Sequence, residues 1–169
     1  DAFSDLWQSP CCQTGLGTRG AGLVCVGCGR AFPTENGIHR MFWPHEGLER
    51  DGDVTEIVKA FYEETPFPNY DEHDSLRSLI EKSRQGVYAR KLDESIPFNT
   101  TVLEVGCGTG QLANFLGISC RRVVATDMCW NSLSLGEAFR RQHELSQVRF
   151  AQMNLFRPSL RPASFDVFV

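Results

Sequence analysis

The segment that follows Thr100 constrains the fold most, because predicted strands and helices alternate there around a glycine-rich turn. Strand-forming residues at positions 101–105 lead into glycines at positions 106, 108 and 110. A helical pattern carried by Gln111, Leu112 and Phe115 follows directly. A strand, a tight turn and a helix in this order predict a unit of a parallel sheet.

The same alternation continues to the end of the sequence. We predict further strands at residues 122–126, 148–151 and 165–169, and a helix after the first of these that is capped by Asn131. Strands that alternate with helices predict an α/β fold with a doubly wound, Rossmann-like sheet. Such a sheet needs cover on both faces, and the sequence stops in its fourth predicted strand. We therefore expect a partial sheet and a fragment of a longer protein.

Three regions follow one another along the chain. Residues 1–47 are rich in glycine and turn residues and predict a small module, a size class that commonly needs a metal. Residues 48–98 predict a helical connector or lid. Residues 99–169 are expected to form the first half of a cofactor-binding domain.

The connector is predicted to contain two helices. An apolar stripe runs from Val54 to Tyr62, and a second helix begins after Asp74 or Ser75 and is interrupted at Gly86. The segment 61–70 between them combines aromatic residues with prolines. It predicts either a semi-rigid lid over a ligand or a helix end packed against the sheet.

Composition and charge argue against several kinds of protein. Hydrophobic residues make up 41% of the sequence and charged residues 22%, as in ordinary globular domains. We expect no membrane span, because no apolar run of about 18 residues is present, and we see no secretory signal. The net charge of −4 and the lack of a Lys/Arg cluster do not support nucleic-acid binding. An odd count of seven cysteines favours a reducing, cytoplasmic compartment.

The glycine spacing and two carboxylates predict the cofactor. Residues 106–110 read G-x-G-x-G, whereas a dinucleotide-binding turn reads G-x-G-x-x-G and places a pyrophosphate at the helix N-terminus. Glu104 would repel a pyrophosphate, and Asp127 ends the next strand, where it can accept both hydroxyls of a ribose. S-adenosylmethionine carries an ammonium and a sulfonium but no phosphate, so these charges favour it. An NAD-type oxidoreductase is the less favoured alternative.

Four segments resemble motifs of the class I S-adenosylmethionine-dependent methyltransferases. Residues 102–112, VLEVGCGTGQL, are similar to the first motif, and residues 124–128, VATDM, are similar to the acidic second motif. Residues 152–156, QMNLF, resemble the segment that contacts adenine, and residues 164–169 resemble the fourth motif. The resemblance implies a Rossmann-like methyltransferase that transfers a methyl group from the sulfonium by in-line displacement.

The resemblance also implies roles for individual residues. The backbone of the glycine loop would hold the methionine moiety, with Glu104 oriented toward its amino group. Asp127 would bind the ribose, Met128 would pack against adenine, and Asn154 would accept from the adenine amino group at a position where the family more often has Asp. Cys107 fits as a small loop residue better than as a nucleophile. The complete predicted cofactor set is Glu104, Gly106, Cys107, Gly108, Gly110, Gln111, Asp127, Met128, Asn154 and Leu155.

The sequence assigns neither the methyl acceptor nor a catalytic residue. In this family the acceptor pocket and the base usually follow the fourth strand, so we expect them after Val169 and expect this segment alone to be inactive. A non-catalytic binding protein, whose N-terminal module docks a partner, is the alternative from a different functional class.

Four cysteines near the N-terminus predict a zinc site, namely Cys11, Cys12, Cys25 and Cys28. Two C-x-x-C knuckles at about this separation bind zinc tetrahedrally, and the layout resembles the zinc ribbons attached to some methyltransferases. Ser9 stands where the first cysteine is expected. Adjacent cysteines bind one ion only with strain, so the fourth ligand is Cys11, His39, water or absent. The predicted role is structural, or recognition of a partner or macromolecular substrate.

Overall fold

The computed structural model describes residues 2–45, residues 75–169 and six positions between them, 57, 60, 61, 64, 66 and 70. The predicted stripe from Val54 to Tyr62 and the segment 61–70 therefore lie mostly outside the described residues. In the part of the chain that is described, we find no helix with the length and apolar character that crossing a bilayer requires.

The N-terminal segment forms a short 3-10 helix, Ser4–Leu6, and a small antiparallel sheet. The sheet contains three strands in chain order: β1 (Leu16–Arg19), β2 (Gly22–Cys25) and β3 (Ala31–Phe32). Leu16 pairs with Cys25 at the end of the β1–β2 hairpin. The hairpin therefore places Cys25 at the end of β2, directly before the turn that carries Cys28.

A six-stranded sheet, ordered β4-β5-β8-β7-β6-β9, contains the predicted parallel strands. Its strands in chain order are β4 (Thr34–Glu35), β5 (Ile38–Arg40), β6 (Thr101–Val105), β7 (Arg122–Asp127), β8 (Val148–Gln152) and β9 (Val167–Phe168). Neighbouring strands from β5 to β9 are parallel, whereas β4 is antiparallel to β5. The predicted α/β class with a parallel sheet is confirmed.

The N-terminal segment contributes to this sheet as well as to its own. β5 pairs in parallel with β8, with His39 opposite Ala151 and Arg40 opposite Gln152. The predicted module 1–47 thus supplies strands to both sheets. Sequence patterns do not predict this pairing, because β5 is only three residues long and its partner lies more than a hundred residues away.

Four helices lie within residues 75–169 and accompany the sheet: α1 (Leu76–Gln85), α2 (Val87–Ser95), α3 (Gln111–Ile118) and α4 (Trp130–Gln142). Ser75 caps α1 by accepting a hydrogen bond from Ser78 N at 3.2 Å, and the Ser78 hydroxyl accepts from Ser75 N in return. Gly86 separates α1 from α2. The start of the predicted second helix and its interruption are both confirmed.

The predicted Asn131 cap of α4 is wrong. The helix begins at Trp130, and Cys129 is its N-cap residue. The Asp127 carboxylate accepts a hydrogen bond from Cys129 N through Oδ1, at 2.8 Å. This side-chain turn directs the chain into the helix before Asn131 is reached.

Apolar side chains cover both faces of the six-stranded sheet, as the two-residue period of a strand requires. One face meets the helices and includes Val102, Val123, Ala125, Val148 and Phe150. The opposite face packs against the N-terminal segment and includes Leu103, Val124 and Ala151 with Phe3, Leu6, Trp7 and Met41. The N-terminal segment is therefore part of the hydrophobic core.

Candidate functional site

A loop with three glycines joins β6 to α3 at the carboxyl edge of the parallel sheet. Gly106, Gly108 and Gly110 have φ angles of +67°, +54° and +68°, a region that residues with a Cβ seldom adopt. A Cβ on Gly110 would collide with the ring of Phe150, whereas one on Gly106 would meet no atom within 4 Å. Gly110 thus permits close packing, and Gly106 leaves space at the surface of the loop.

Asp127 ends β7 beside this loop, because β6 and β7 are parallel neighbours that end at the same edge. Its Oδ2 accepts a hydrogen bond from Gly108 N at 2.9 Å, while its Oδ1 accepts from Cys129 N. The carboxylate therefore holds the glycine loop against β7. Each oxygen retains a lone pair with which it can accept from a ligand hydroxyl.

A cavity of about 160 Å³ lies at this edge, and we name it the Asp127 cavity. Its lining includes four predicted cofactor residues, Gly106, Asp127, Met128 and Leu155. Sequence reasoning missed the other three lining residues, which come from the ends of β6 and β7 and from the position after β8: Val105, Thr126 and Met153. Strand ends in the predicted sheet were the signal that could have identified them.

A larger cavity of about 420 Å³ also borders the glycine loop, and we name it the Glu104 cavity. Three predicted cofactor residues, Glu104, Cys107 and Gln111, line it. The rest of its lining is Leu112 and residues near the α1–α2 junction: Lys82, Ser83, Gly86, Tyr88 and Ala89. The Gly86 interruption was the available signal, because a break between helices opens space at the junction.

Glu104 is an unusual carboxylic acid in this site. Its side chain is buried, and its Oε2 has no hydrogen-bond partner among the described residues. Burial, reinforced by the charge of Asp127, raises the pKa of Glu104 to about 8, although a hydrogen bond with the backbone of Ala113 acts in the opposite direction. A cationic ligand group would stabilise the ionised form and give Oε2 a partner.

Cys107 is buried in the same loop and remains a thiol. Burial raises the pKa of Cys107 well above its usual range, and the negative charges of Glu104 and Asp127 raise it further. Because the thiolate is the nucleophilic form of cysteine, this environment agrees with the predicted role of Cys107 as a small loop residue.

Tyr70 contacts the glycine loop from the connector. Its hydroxyl donates to the carbonyl of Thr109 at 3.0 Å and accepts from Asn114 Nδ2 at 2.9 Å. Its ring stacks on Phe139, with 4.7 Å between the ring centroids. Burial raises the pKa of Tyr70, so the hydroxyl stays protonated and can donate. At this residue, therefore, the connector packs against the glycine loop and α4.

The side chain of Asn154 makes its hydrogen bonds within the protein. Its Nδ2 donates to the carbonyl of Trp43 at 2.9 Å and lies 3.1 Å from Nδ1 of His45. Its Oδ1 accepts from Phe156 N at 3.0 Å. Asn154 is almost fully buried and does not line the Asp127 cavity. Its predicted contact with adenine stays a prediction.

The four N-terminal cysteines form a cluster in which all the Sγ atoms lie within 4.8 Å of one another. The Sγ atoms of Cys11 and Cys28 are 3.6 Å apart. A tetrahedral zinc with four thiolates at about 2.3 Å places its sulfur atoms about 3.8 Å apart, so this donor set fits zinc. Hydrogen bonds with the neighbouring thiols of Cys28 and Cys11 raise the pKa of Cys12 to about 12.

Ser9 and His39 do not take the fourth ligand position in this arrangement. Ser9 Oγ lies 3.2 Å from Cys25 Sγ, and hydrogen bonds with Ser9 and Thr14 lower the pKa of Cys25 to about 5. His39 lies in β5, where its Nδ1 is 2.8 Å from Thr34 Oγ1. Cys11 is therefore the fourth cysteine of the cluster. Ser9 contacts the sulfur of one of the four cysteines, Cys25.

Comparisons with known proteins support the sequence resemblance. Residues 102–169 match the family model described as "Methyltransferase domain". Among curated proteins, a sequence search found no match. Among solved structures, similar chains include a TehB-like SAM-dependent methyltransferase from Corynebacterium glutamicum, with 21% identity over 47% of this chain and 41% of that chain and a TM-score of 0.41.

Two further similar structures come from a nematode and a bacterium. Phosphoethanolamine N-methyltransferase 1 of Haemonchus contortus is 16% identical over 69% of this chain and 24% of that chain, with a TM-score of 0.49. A SAM-dependent methyltransferase from Aquifex aeolicus is 23% identical over 43% of this chain and 42% of that chain, with a TM-score of 0.36. The present chain spans less than half the length of each of these three relatives.

The family match covers the glycine loop, Asp127 and all four of the segments on which the resemblance was based. The order of β6, β7, β8 and β9 places that matched sequence in one parallel sheet. Residues 102–169 of this chain are thus similar in sequence to the methyltransferase domain family, and their strands lie in one parallel sheet.

Proposed function

We propose that this chain is the cofactor-binding part of an S-adenosylmethionine-dependent methyltransferase whose acceptor is not identified. The observation that carries the proposal is the pair of carboxylates beside the glycine loop. Glu104 lines one cavity with an unpartnered Oε2 among the described residues, and Asp127 lines the other. This arrangement favours a ligand with a cationic end and a hydroxyl-bearing end, and it disfavours a pyrophosphate.

The residues of the two cavities fit the parts of S-adenosylmethionine. The cofactor supplies a methyl group on a sulfonium, which an acceptor attacks in line. Glu104 would accept a hydrogen bond from the amino group of the methionine moiety, and Gly106 would allow close approach to the loop backbone. Asp127 would accept from the ribose hydroxyls, and Met128 and Leu155 would pack against the purine. The chain's contribution to the reaction is therefore orientation of the methyl donor.

The cysteine cluster supports a structural zinc site. Four thiolates satisfy the coordination of zinc without leaving an open position for water, which distinguishes a structural site from a catalytic one. We also propose a cytoplasmic location, since all seven cysteines are free and four of them would bind zinc only in reduced form.

Calorimetric titration of the protein with S-adenosylhomocysteine, S-adenosylmethionine and NAD tests the proposed function. We expect both sulfur ligands to bind and NAD not to bind. Asp127→Asn should weaken binding by about tenfold or more, because the amide accepts more weakly from the ribose. Asp166→Asn is the matched control, since Asp166 accepts from Thr101 N at the opposite, amino end of β6.

Two outcomes would contradict the proposal. One is binding of NAD in preference to both sulfur ligands, and the other is binding that Asp127→Asn and Glu104→Gln leave unchanged. Release of S-adenosylhomocysteine from S-adenosylmethionine by the full-length protein in the presence of a cell extract, above the release by the extract alone, separates an enzyme from a non-catalytic binding protein.

A further inference from the structure

The loop after β8, residues 153–161, forms part of the Asp127 cavity on one side and contacts the N-terminal segment on the other. We name it the β8 loop. Met153 and Leu155 line the cavity. Asn154 and Ser159 are buried, with exposed fractions of 1% and 0%. The loop is therefore a wall of the candidate cofactor site, and the side chains of Asn154 and Ser159 are buried inside the protein.

Hydrogen bonds from the start of the chain hold the far end of the β8 loop. Gln8 N donates to Ser159 O at 3.0 Å, and Arg161 N donates to Leu6 O at 2.9 Å. These two bonds form a short antiparallel bridge around Trp7 and Leu160. Without this bridge the loop would lose its main backbone partners outside the sheet.

A second attachment holds Asn154, near the start of the same loop, and the side chain of Ser159, near its end. Asn154 Nδ2 donates to Trp43 O at 2.9 Å, and Ser159 Oγ donates to Met41 O at 3.3 Å. Both acceptors belong to the segment directly after β5. The β8 loop is thus fixed at both ends by residues that precede the connector.

Both attachments lead to the cysteine cluster. From Gln8 the chain enters a turn in which Gln13 N donates to Ser9 O at 2.9 Å, and this turn carries Cys11 and Cys12. The hydroxyl of Ser9 lies 3.2 Å from the sulfur of Cys25. The first attachment, which we call the first support of the β8 loop, is therefore continuous in sequence with the turn that carries Cys11 and Cys12.

The second attachment, which we call the second support, leads to the turn that carries Cys25 and Cys28. The Trp43 ring packs edge-on against Phe32 of β3, with 6.5 Å between centroids, and Arg30 lies over its face at 4.6 Å. The carbonyl of Arg30 accepts from Cys25 N at 2.8 Å, within the turn that carries Cys28. A metal bound by the four cysteines would join the two supports.

We propose that Asn154 and Ser159 are positioning residues, through which the metal-bound cysteine module holds the β8 loop in the shape that binds the adenosine end of the cofactor. The proposal rests on the proposed function, because the ligand is S-adenosylhomocysteine or S-adenosylmethionine. Small metal modules fold only as the metal binds, so loss of the metal releases both supports together. The cysteines contact no ligand in this scheme and act on affinity through the loop.

Asn154→Asp distinguishes this role from a direct contact with adenine, because the two roles predict opposite results. An aspartate that accepts from the adenine amino group should bind the cofactor as well as Asn154 or better. An aspartate cannot donate to Trp43 O, so a positioning role predicts that affinity for S-adenosylhomocysteine falls by about tenfold. The titration is carried out at pH 8.

Ser159→Ala provides a milder test that does not involve His45. It removes one buried hydroxyl that donates to a carbonyl, and the matched control Thr100→Val removes another, which donates to Pro97 O at 2.7 Å. Thr100 lies just before β6 at the edge opposite the glycine loop. We expect both variants to lose stability, but only Ser159→Ala to weaken S-adenosylhomocysteine binding, by about threefold to tenfold.

Removal of zinc from the full-length protein tests the module itself. Chelation should weaken S-adenosylhomocysteine binding by about tenfold or more, and added Zn²⁺ should restore it. Amide hydrogen exchange should become faster in the β8 loop while the amides of β6 and β7 stay protected. The exchange readout does not depend on the acceptor or on methyl transfer.

The outcomes separate this proposal from the proposed function. If the zinc-loaded wild-type protein binds neither sulfur ligand, the proposed function fails. If it binds them and neither Asn154→Asp, Ser159→Ala nor zinc removal changes the affinity, the positioning role is overturned. Unchanged or tighter binding by Asn154→Asp alone overturns the role of Asn154 and supports a direct contact with adenine.

Discussion

Replacing Glu104 with glutamine is expected to stabilise the fold at neutral and alkaline pH while it weakens cofactor binding. Burial and the charge of Asp127 raise the pKa of Glu104 from the ordinary value of 4.5 to about 8. Between these two values the folded protein keeps a proton that the unfolded chain loses. The free energy of unfolding therefore falls as the pH rises, and the loss is complete once the pH exceeds about 8.

The pKa difference sets the size of this effect. At about 1.4 kcal/mol for each tenfold change, a rise from 4.5 to about 8 corresponds to a loss of about 5 kcal/mol between pH 4 and pH 9. Such a loss is large beside the roughly 5–15 kcal/mol that stabilises a typical domain. Glutamine has nearly the same size but no charge, so most of the pH-dependent loss should disappear in the variant.

Urea unfolding at about pH 5, 7 and 9, followed by tryptophan fluorescence, measures this difference. We expect the wild type to lose stability across the series and Glu104→Gln to lose about 2–4 kcal/mol less. Glu137→Gln is the control, because Glu137 is also buried but both of its oxygens accept from Arg140, at 2.6 and 2.7 Å. That variant should be less stable than the wild type by about 1–3 kcal/mol.

The same carboxyl links cofactor binding to proton release. If the cationic end of S-adenosylhomocysteine binds Glu104 in its ionised form, a group with a pKa of about 8 must release about 0.9 proton at pH 7. Calorimetry in buffers of different ionisation enthalpy measures this number, which should fall to about zero in Glu104→Gln. Identical pH profiles of stability for the wild type and Glu104→Gln would refute the reasoning, as would the same proton release by both proteins.

Three further predictions concern the loop and the metal. Gly110→Ala should destabilise the fold by about 3 kcal/mol or more in urea unfolding, because a Cβ there meets the Phe150 ring and φ is +68°. Gly106→Ala should cost only about 1–2 kcal/mol and should chiefly weaken S-adenosylhomocysteine binding in calorimetry. Equal stability losses in the two variants would contradict this distinction. Tyr70→Phe keeps the stacking on Phe139 but removes the donor to Thr109 O. It should lower the free energy of unfolding by about 1–2 kcal/mol and weaken S-adenosylhomocysteine binding. Unchanged affinity would show that Tyr70 does not support the loop. Elemental analysis should find about one zinc per chain, which Cys12→Ser should reduce, and a wild-type content below about 0.2 equivalents would contradict the metal site.

The parallel sheet was predictable because its signals are local. Residues 101–105, 122–126 and 148–151 are short apolar runs bounded by turn residues, and the observed strands differ from them by at most one residue at an end. The glycine loop was predictable because it has glycine at the three positions where φ is positive. Such a φ angle is costly for any residue with a Cβ. These three strands and the glycine loop, whose signals lie within a few residues of sequence, were thus correctly predicted.

Features that depend on distant partners were not predictable. The parallel pairing of β5 with β8 joins residues about 110 positions apart, and no periodic pattern encodes it. The α1–α2 wall of the Glu104 cavity depends on how the connector packs on the sheet. Sequence patterns record local preference, whereas the β5–β8 pairing and the cavity wall form only when the chain is compact. The N-cap of α4 is a local exception, which was misassigned because the Asp127 side chain, two residues before Cys129, organises the turn.

The placement of the N-terminal segment changes how the two predicted modules relate to each other. Phe3, Leu6 and Trp7 are almost fully buried against the sheet face that carries Val124 and Ala151. Burial of such side chains contributes about 1.5–3 kcal/mol each, so this face of the sheet depends on the segment for much of its cover. Cys11 and Cys12 of the cysteine cluster lie in the turn that follows these residues. A structural metal at that position would thus stabilise the N-terminal segment and, through the β8 loop, the cavity beside Asp127.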